Sequence, residues 1–457
     1  MWELMNRRQF PLLAMLFQAV FVILFFFFCR YIDPLDDSKR IYSNTDYPLF
    51  QDVHLMIFVG FGFLMAFLKR YGFAAVSVNL LLSAFVIQWA LIMRGFLTKQ
   101  FQETGIFTVG VPEMMSADAS CAVVLITMGV LLGKMTPSQF LLMAFIETTL
   151  NVIVEYVLFN YFHINDGGRS LVGHMFGAYF GLAAAIVSHK KNVMEMNDEG
   201  SIKHSDLFSM IGTLLLWVFF PSFNASIQEP EDARHRAIMN TYLAMASGTV
   251  TTFLISSFAD NLGRFNMIHI QSSTLAGGVA IGSAANAVLY PSHAVGIGIL
   301  GSSVSVIGHV WVTPLLQKHF KLYDTCGVHN LHGIPGILAG VLSIVIAYFY
   351  EADSYGKTLY HIYPYYMGGP MNGDRDNKSQ ALYQLTGMSF AFVTAVIGGL
   401  LTGLLLRIRL WNQVEDPRFP YGETNYYAIK DSNFLSKYQR AQEQEMMERL
   451  HDLQEIY

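Results

Sequence analysis

The chain has 457 residues, 53% of them hydrophobic and only 14% charged, with a formal net charge of −5. Soluble domains carry about 25% charged residues, so this chain lacks the polar material to cover a globular surface of its size and is expected to cross a membrane many times. No Lys/Arg block or basic helix occurs, which excludes nucleic acid as a partner. Cys29, Cys121 and Cys326 are too scattered for a disulfide framework or a metal site.

Arg7 and Arg8 precede "FPLLAMLFQAVFVILFFFF", a run longer than a signal-peptide core and followed by no small-x-small cleavage site. A retained first span near 10–29 is predicted; a cleaved signal is the alternative. Reading onward for runs of about 20 apolar residues gives further spans near 53–69, 72–93, 118–133, 138–162, 169–189, 206–224, 236–258, 268–289, 293–313, 329–350 and 381–408. The fold class is therefore an all-α polytopic membrane protein with about twelve transmembrane helices. An even count puts both termini on one side, and a small Lys/Arg excess in the loops makes that side cytoplasmic. Residues 1–410 form the membrane domain, and 411–457 form a polar cytoplasmic tail with one short helix. "NKS" at Asn377 is a glycosylation sequon in an outer loop; "NAS" at Asn224 lies too near the bilayer to be a good acceptor.

Ionisable residues within spans are costly and mark function by default. Asp166 opens one span and His174 follows eight residues later, roughly 12 Å deeper along a helix. Asp324 precedes His332 by the same spacing. With the first span set aside, these histidines lie on the fifth and tenth of eleven spans. That pattern suggests two five-span halves in an inverted repeat, plus one C-terminal helix, with both histidines near the midplane. Gly173, Gly177 and Gly181, and again Gly336 and Gly340, give small-xxx-small faces for close helix approach. Helix packing with incidental histidines is the bland alternative. Two neutral imidazoles each offer one donor and one acceptor. They suit a small neutral hydrogen-bonding solute or a proton relay, and are too few for a metal. Phe223 sits at the outer end of its span in "FFPSFNASI".

Together, "GRSLVGHMFGAYFGL", "HSDLFSMIGTLLLWVFFPSFNASI", "HIQSSTLAGGVAIGSAA", "VLLGKMTPSQFLLMAFIE" and "DTCGVHNLHGIPGI" resemble the Rh glycoproteins of the ammonium transporter superfamily, over about residues 10–410. The resemblance implies eleven family-standard spans plus the extra N-terminal one. It also implies a plasma-membrane homotrimer with one ammonia-conducting pore per subunit, and neither a cofactor nor enzymatic activity. In that reading His174 and His332 are the twin pore histidines, and Asp166 is a structural and recruiting aspartate on the outer side. Asn330 and Asp324 lie near the inner vestibule, and Phe223 is one of two stacked gate phenylalanines. The other gate position falls on Ala119, so the outer gate is widened or filled by another side chain. His329 is either an addition to the inner mouth or an ordinary vestibule residue. Alternatives left open are electrogenic ammonium transport, carbon dioxide as a cargo, and a non-conducting scaffold.

Overall fold

The computed structural model describes residues 2–32, 46–68, 71–188 and 201–413. The predicted tail helix lies outside them. The described chain is helical almost throughout. Its first spans are α1 (Trp2–Phe28), α2 (Asp46–Phe67), α3 (Gly72–Leu97), α4 (Val111–Leu131), α5 (Pro137–Asn160) and α6 (Ser170–Ser188). There follow α7 (Lys203–Ala225), α8 (Glu231–Ala259), a broken element α9 (Met267–Ser273 and Ala276–Gly282), α10 (Pro291–Phe320), α11 (His329–Phe349) and α12 (Asn377–Leu406).

Among the described residues, eleven of these are continuous helices long and apolar enough to cross a membrane. The run predicted as one span over 268–289 is the exception. Here Ser272 Oγ donates to the Ile268 carbonyl and Thr274 Oγ1 to the Ile270 carbonyl, both at 2.7 Å. Hydroxyls at such positions compete with the backbone ladder, and the helix breaks at Thr274–Leu275. A break at membrane depth is tolerated where protein surrounds it, and residues 269–288 are buried throughout. The spans predicted near 118–133 and 206–224 are full helices, Val111–Leu131 and Lys203–Ala225.

The two halves pack alike. In the first, α3 lies against α4 and α5, and α4 against α6; in the second, α8 lies against α9 and α10, and α9 against α11. Across the halves, α2 meets α7 and α6 meets α11, while α12 covers α6 and α11 from the side. The scheme repeats with a five-helix period, as the Asp-x7-His spacing predicts. Helices α4 and α6 are buried along most of their length, whereas α1 has very little of its own buried and packs on α3 and α5. Its exposed Leu12, Met15, Leu16 and Phe26 suit a lipid-facing surface. Just beyond α1, β1 (Cys29–Tyr31) pairs in parallel with β2 (Phe107–Val109).

Glycines set the closest approaches. A Cβ on Gly177 would lie 2.6 Å from the Val123 carbonyl of α4, and one on Gly336 would lie 3.0 Å from the Met175 backbone of α6. The α6 glycine face therefore seats on α4 instead of on the other histidine helix, and Gly173 takes no part in it, since its Cβ would meet only Arg169.

Candidate functional site

Both histidine helices open with a π-helical turn, Ser170–Met175 in α6 and His329–Gly333 in α11. An aspartate holds each turn from outside. Asp166 accepts from the Leu171 and Val172 amides (3.0 and 2.9 Å) and from Ser283 Oγ of the loop after α9 (2.6 Å). Asp324 accepts from the His329 amide at 2.7 Å. A carboxylate at a helix start satisfies amides that have no intrahelical partner. Wider turns of this kind recur at functional sites because they re-aim side chains. The spacing that singled out these aspartates thus has a local cause: each fixes the backbone from which its histidine projects.

The result brings His174 and His332 into contact. Their Nδ1 atoms are 2.9 Å apart and their rings nearly parallel, 7° between planes with centroids 5.0 Å apart. Both are buried. One Nδ1 must donate and the other accept, so the rings share a single proton along that edge. The ring that donates keeps a bare Nε2; the ring that accepts carries Nε2–H. The pair therefore presents one acceptor and one donor. Among the described residues His174 Nε2 is buried with no hydrogen-bond partner, an atom that costs free energy unless a solute or water meets it.

Aromatic rings enclose the pair. Phe61 of α2 lies parallel to His332 at 6.3 Å, and Phe220 of α7 parallel to His174 at 5.8 Å. Phe223 lies tilted against His174 at 5.8 Å and edge-on to Phe220 at 6.1 Å. Both phenylalanines above His174 thus come from one helix, one turn apart. Ala119 is buried on α4. Below the pair, a cavity of about 30 Å³ is lined by Phe61, Leu125, Gly129, Ser272, Leu331 and His332, among others. It has room for about one or two water-sized molecules.

The remaining predicted residues fall around this axis. Asp166 is buried with its carboxylate filled by three donors, so it anchors α6 and does not face the mouth as a recruiting group would. Asn330 is buried, donating to His309 Nδ1 (3.1 Å) and Thr313 Oγ1 (2.7 Å). His309 Nε2 in turn meets Ser272 Oγ at 2.9 Å. His329 Nε2 is 3.3 Å from the Tyr179 hydroxyl, beside the pair and not in it. Asn377 begins α12, and its Nδ2, the atom a glycan would join, donates to the Tyr350 carbonyl at 2.7 Å. Asn224 is buried and donates to Thr241 Oγ1 and the Gly278 carbonyl.

Sequence reasoning passed over Phe61, Phe220, His54 and Asp118. His54, Phe58 and Phe61 recur at helical spacing on one face of α2, a signal that was present but hidden among 36 phenylalanines.

A family profile described as the Ammonium Transporter Family matches residues 13–426. The chain is 40% identical over 456 residues to the human protein named ammonium transporter Rh type C, covering 95% of this chain and 94% of that one. It is 41% identical over 438 residues to ammonium transporter Rh type B of Sus scrofa, with 94% of each chain covered. Among solved structures, the Rh50 channel of Nitrosomonas europaea superposes with a TM-score of 0.72 at 30% identity, over 89% of this chain and 98% of that one.

Proposed function

The chain belongs to the ammonium transporter family, and from that premise we propose that it passes neutral ammonia along the free edges of the paired imidazoles of His174 and His332. It is a multi-pass membrane transporter and not an enzyme. The contact between the two Nδ1 atoms carries the reading. A shared proton makes the pair neutral as a whole and gives it one donor and one acceptor on the remaining edges. Ammonia has one lone pair and three N–H groups, so it matches both edges at once. An ammonium ion at the same depth would sit among Phe61, Phe220 and Phe223 without a counter-ion. Stripping its water there costs on the order of tens of kcal/mol by Born reasoning. Ammonium therefore loses its proton at the outer end, and the neutral molecule crosses and is reprotonated inside. Potassium and sodium, which have no proton to lose, are rejected by the same walls.

The test is the pH change in proteoliposomes given an ammonium gradient, followed by stopped flow. Protein should speed it above empty liposomes, and a His174→Ala/His332→Ala double variant should lose the gain. Equal rates with and without protein, or an unaffected double variant, would overturn the proposal.

The same contact supports a second reading, in which the shared proton is relayed along the pair and net ammonium charge crosses. Carbon dioxide, also small and neutral, is a further cargo for an apolar lumen. Retention of both histidines in hydrogen-bond contact speaks against a non-conducting scaffold. We take the protein to act at the plasma membrane as a homotrimer with cytoplasmic termini.

A further inference from the structure

The outer end of the lumen carries an imidazole that the twin-histidine reading leaves unused. On α2, Phe50, His54, Phe58, Phe61 and Met65 recur every three or four residues and so share one face. The lower part of that face lines the pore: Phe61 and Met65 border the inner cavity, and Phe61 stacks on His332. On α4, Asp118, Leu125 and Gly129 share a face in the same way, and Leu125 and Gly129 border the same cavity. Followed outward, the two lumen-lining faces end on His54 and Asp118. There the side chains meet, with His54 Nδ1 3.0 and 3.2 Å from the two Asp118 oxygens.

The pair is asymmetric in exposure. The Asp118 carboxylate is buried, whereas 42% of the His54 side chain is exposed. The imidazole packs against Phe58 at 4.5 Å and Phe50 at 5.1 Å between centroids. A carboxylate can only accept, so it fixes the proton on Nδ1 and leaves the Nε2 lone pair for the mouth. The other charges nearby are spoken for. Asp52 accepts from Ser222 of α7, Asp46 pairs with Arg234 of α8, and Arg94 of α3 is held by Glu155.

We infer that His54, backed by Asp118, is the group that takes the proton from ammonium at the outer mouth. One N–H bond of ammonium breaks and its electron pair stays on nitrogen, giving ammonia. The proton bonds to His54 Nε2, and the buried carboxylate balances the imidazolium. That proton then passes to outer water and restores the neutral ring, while ammonia moves inward past Phe223 and Phe220 to His174. Before transfer, the faces of Phe50 and Phe58 favour a cation beside them. Ala119 leaves α4 without an aromatic next to Asp118, so an imidazole–carboxylate pair occupies the mouth in place of a second ring from that helix.

This inference rests on the ammonium-transport reading, and one experiment separates the two. Proteoliposomes are given a fixed total of ammonium while outer pH is varied between about 7.5 and 8.5, above the ordinary imidazole range of about 6.5 so that His54 Nε2 starts as a free base, and a range over which free ammonia changes about tenfold per pH unit. A channel that takes ammonium itself should show a wild-type rate nearly flat with pH. His54→Gln, which keeps a donor for Asp118, should admit only free ammonia, so its rate should fall about tenfold per pH unit on acidification. Asp118→Asn should move the profile the same way. A wild-type rate that itself tracks free ammonia overturns the inference without recourse to any variant, and so does a His54→Gln profile superposing on wild type. Absence of protein-dependent flux at every pH would overturn the transport reading along with it.

Discussion

Replacing Asp166 separates a structural carboxylate from a substrate-recruiting one. Its two oxygens take the Leu171 and Val172 amides and the Ser283 hydroxyl at 2.6 to 3.1 Å, and all three donor residues are buried. Hydrogen bonds to a charged group contribute about 1.5–3 kcal/mol each, and a buried donor left without a partner costs about 1–3 kcal/mol. Allowing for relaxation, Asp166→Ala should destabilise the fold by about 3–6 kcal/mol. Asp166→Asn, which keeps one acceptor oxygen, should lose about half of that. In a chain of this size the alanine change corresponds to a melting shift on the order of 5–10 °C. The assay is thermal melting of detergent-purified protein read by size-exclusion chromatography, beside the dependence of initial flux on ammonium concentration. The half-saturating ammonium concentration of the surviving folded fraction should match wild type. An unchanged melting point together with a several-fold rise in half-saturation would show that the carboxylate meets substrate, and would refute the capping argument.

Three further outcomes follow from the geometry. Glu155 holds Arg94 at 2.7 Å and Arg169 at 3.1 Å, with Glu155 and Arg169 buried and Arg94 partly so, so Glu155→Gln leaves the buried Arg169 without its carboxylate and should cost about 3–5 kcal/mol; a melting point within a degree or two of wild type would contradict this. Gly177→Ala drives a Cβ to 2.6 Å from the Val123 carbonyl, an overpacking cost of about 1–3 kcal/mol that also shifts the helix carrying His174. Flux should drop, whereas Gly173→Ala, whose Cβ meets only Arg169 at 3.6 Å, should leave both stability and flux intact. The Asn377 sequon should stay unmodified, because its Nδ2 is committed to the Tyr350 carbonyl; a deglycosylation shift on a gel that Asn377→Gln removes would show otherwise.

Much of the site was legible because membrane burial makes polar residues informative. His174 and His332, 158 residues apart, were paired by their spacing from two aspartates, and the structure supplies the reason in two matching capped π-turns. Span existence was legible from hydropathy alone. The broken α9 was not, because Ser272 and Thr274 barely lower the hydropathy of a mostly apolar or small-residue run, yet their hydroxyls take the Ile268 and Ile270 carbonyls where the helix breaks. Phe220 was invisible for the opposite reason: in a phenylalanine-rich chain, composition does not tell a ring that stacks on an imidazole from one that faces lipid. His54 and Asp118 lie 64 residues apart on different helices, and only the packing of α2 on α4 brings them together. The glycine spacing marks faces of close approach but not their neighbours: Gly177 and Gly181 of α6 meet α4, whereas Gly336 of α11 meets Met175 of α6.

Whether charge accompanies nitrogen across the membrane bears most directly on the central claim. Purified protein in a supported bilayer, given an ammonium gradient at matched pH, allows current and nitrogen flux to be recorded on the same sample. Neutral passage along the His174–His332 pair predicts protein-dependent flux with no ammonium-dependent current. A current that scales with the gradient at one charge per nitrogen, and disappears in the double histidine variant, would contradict it.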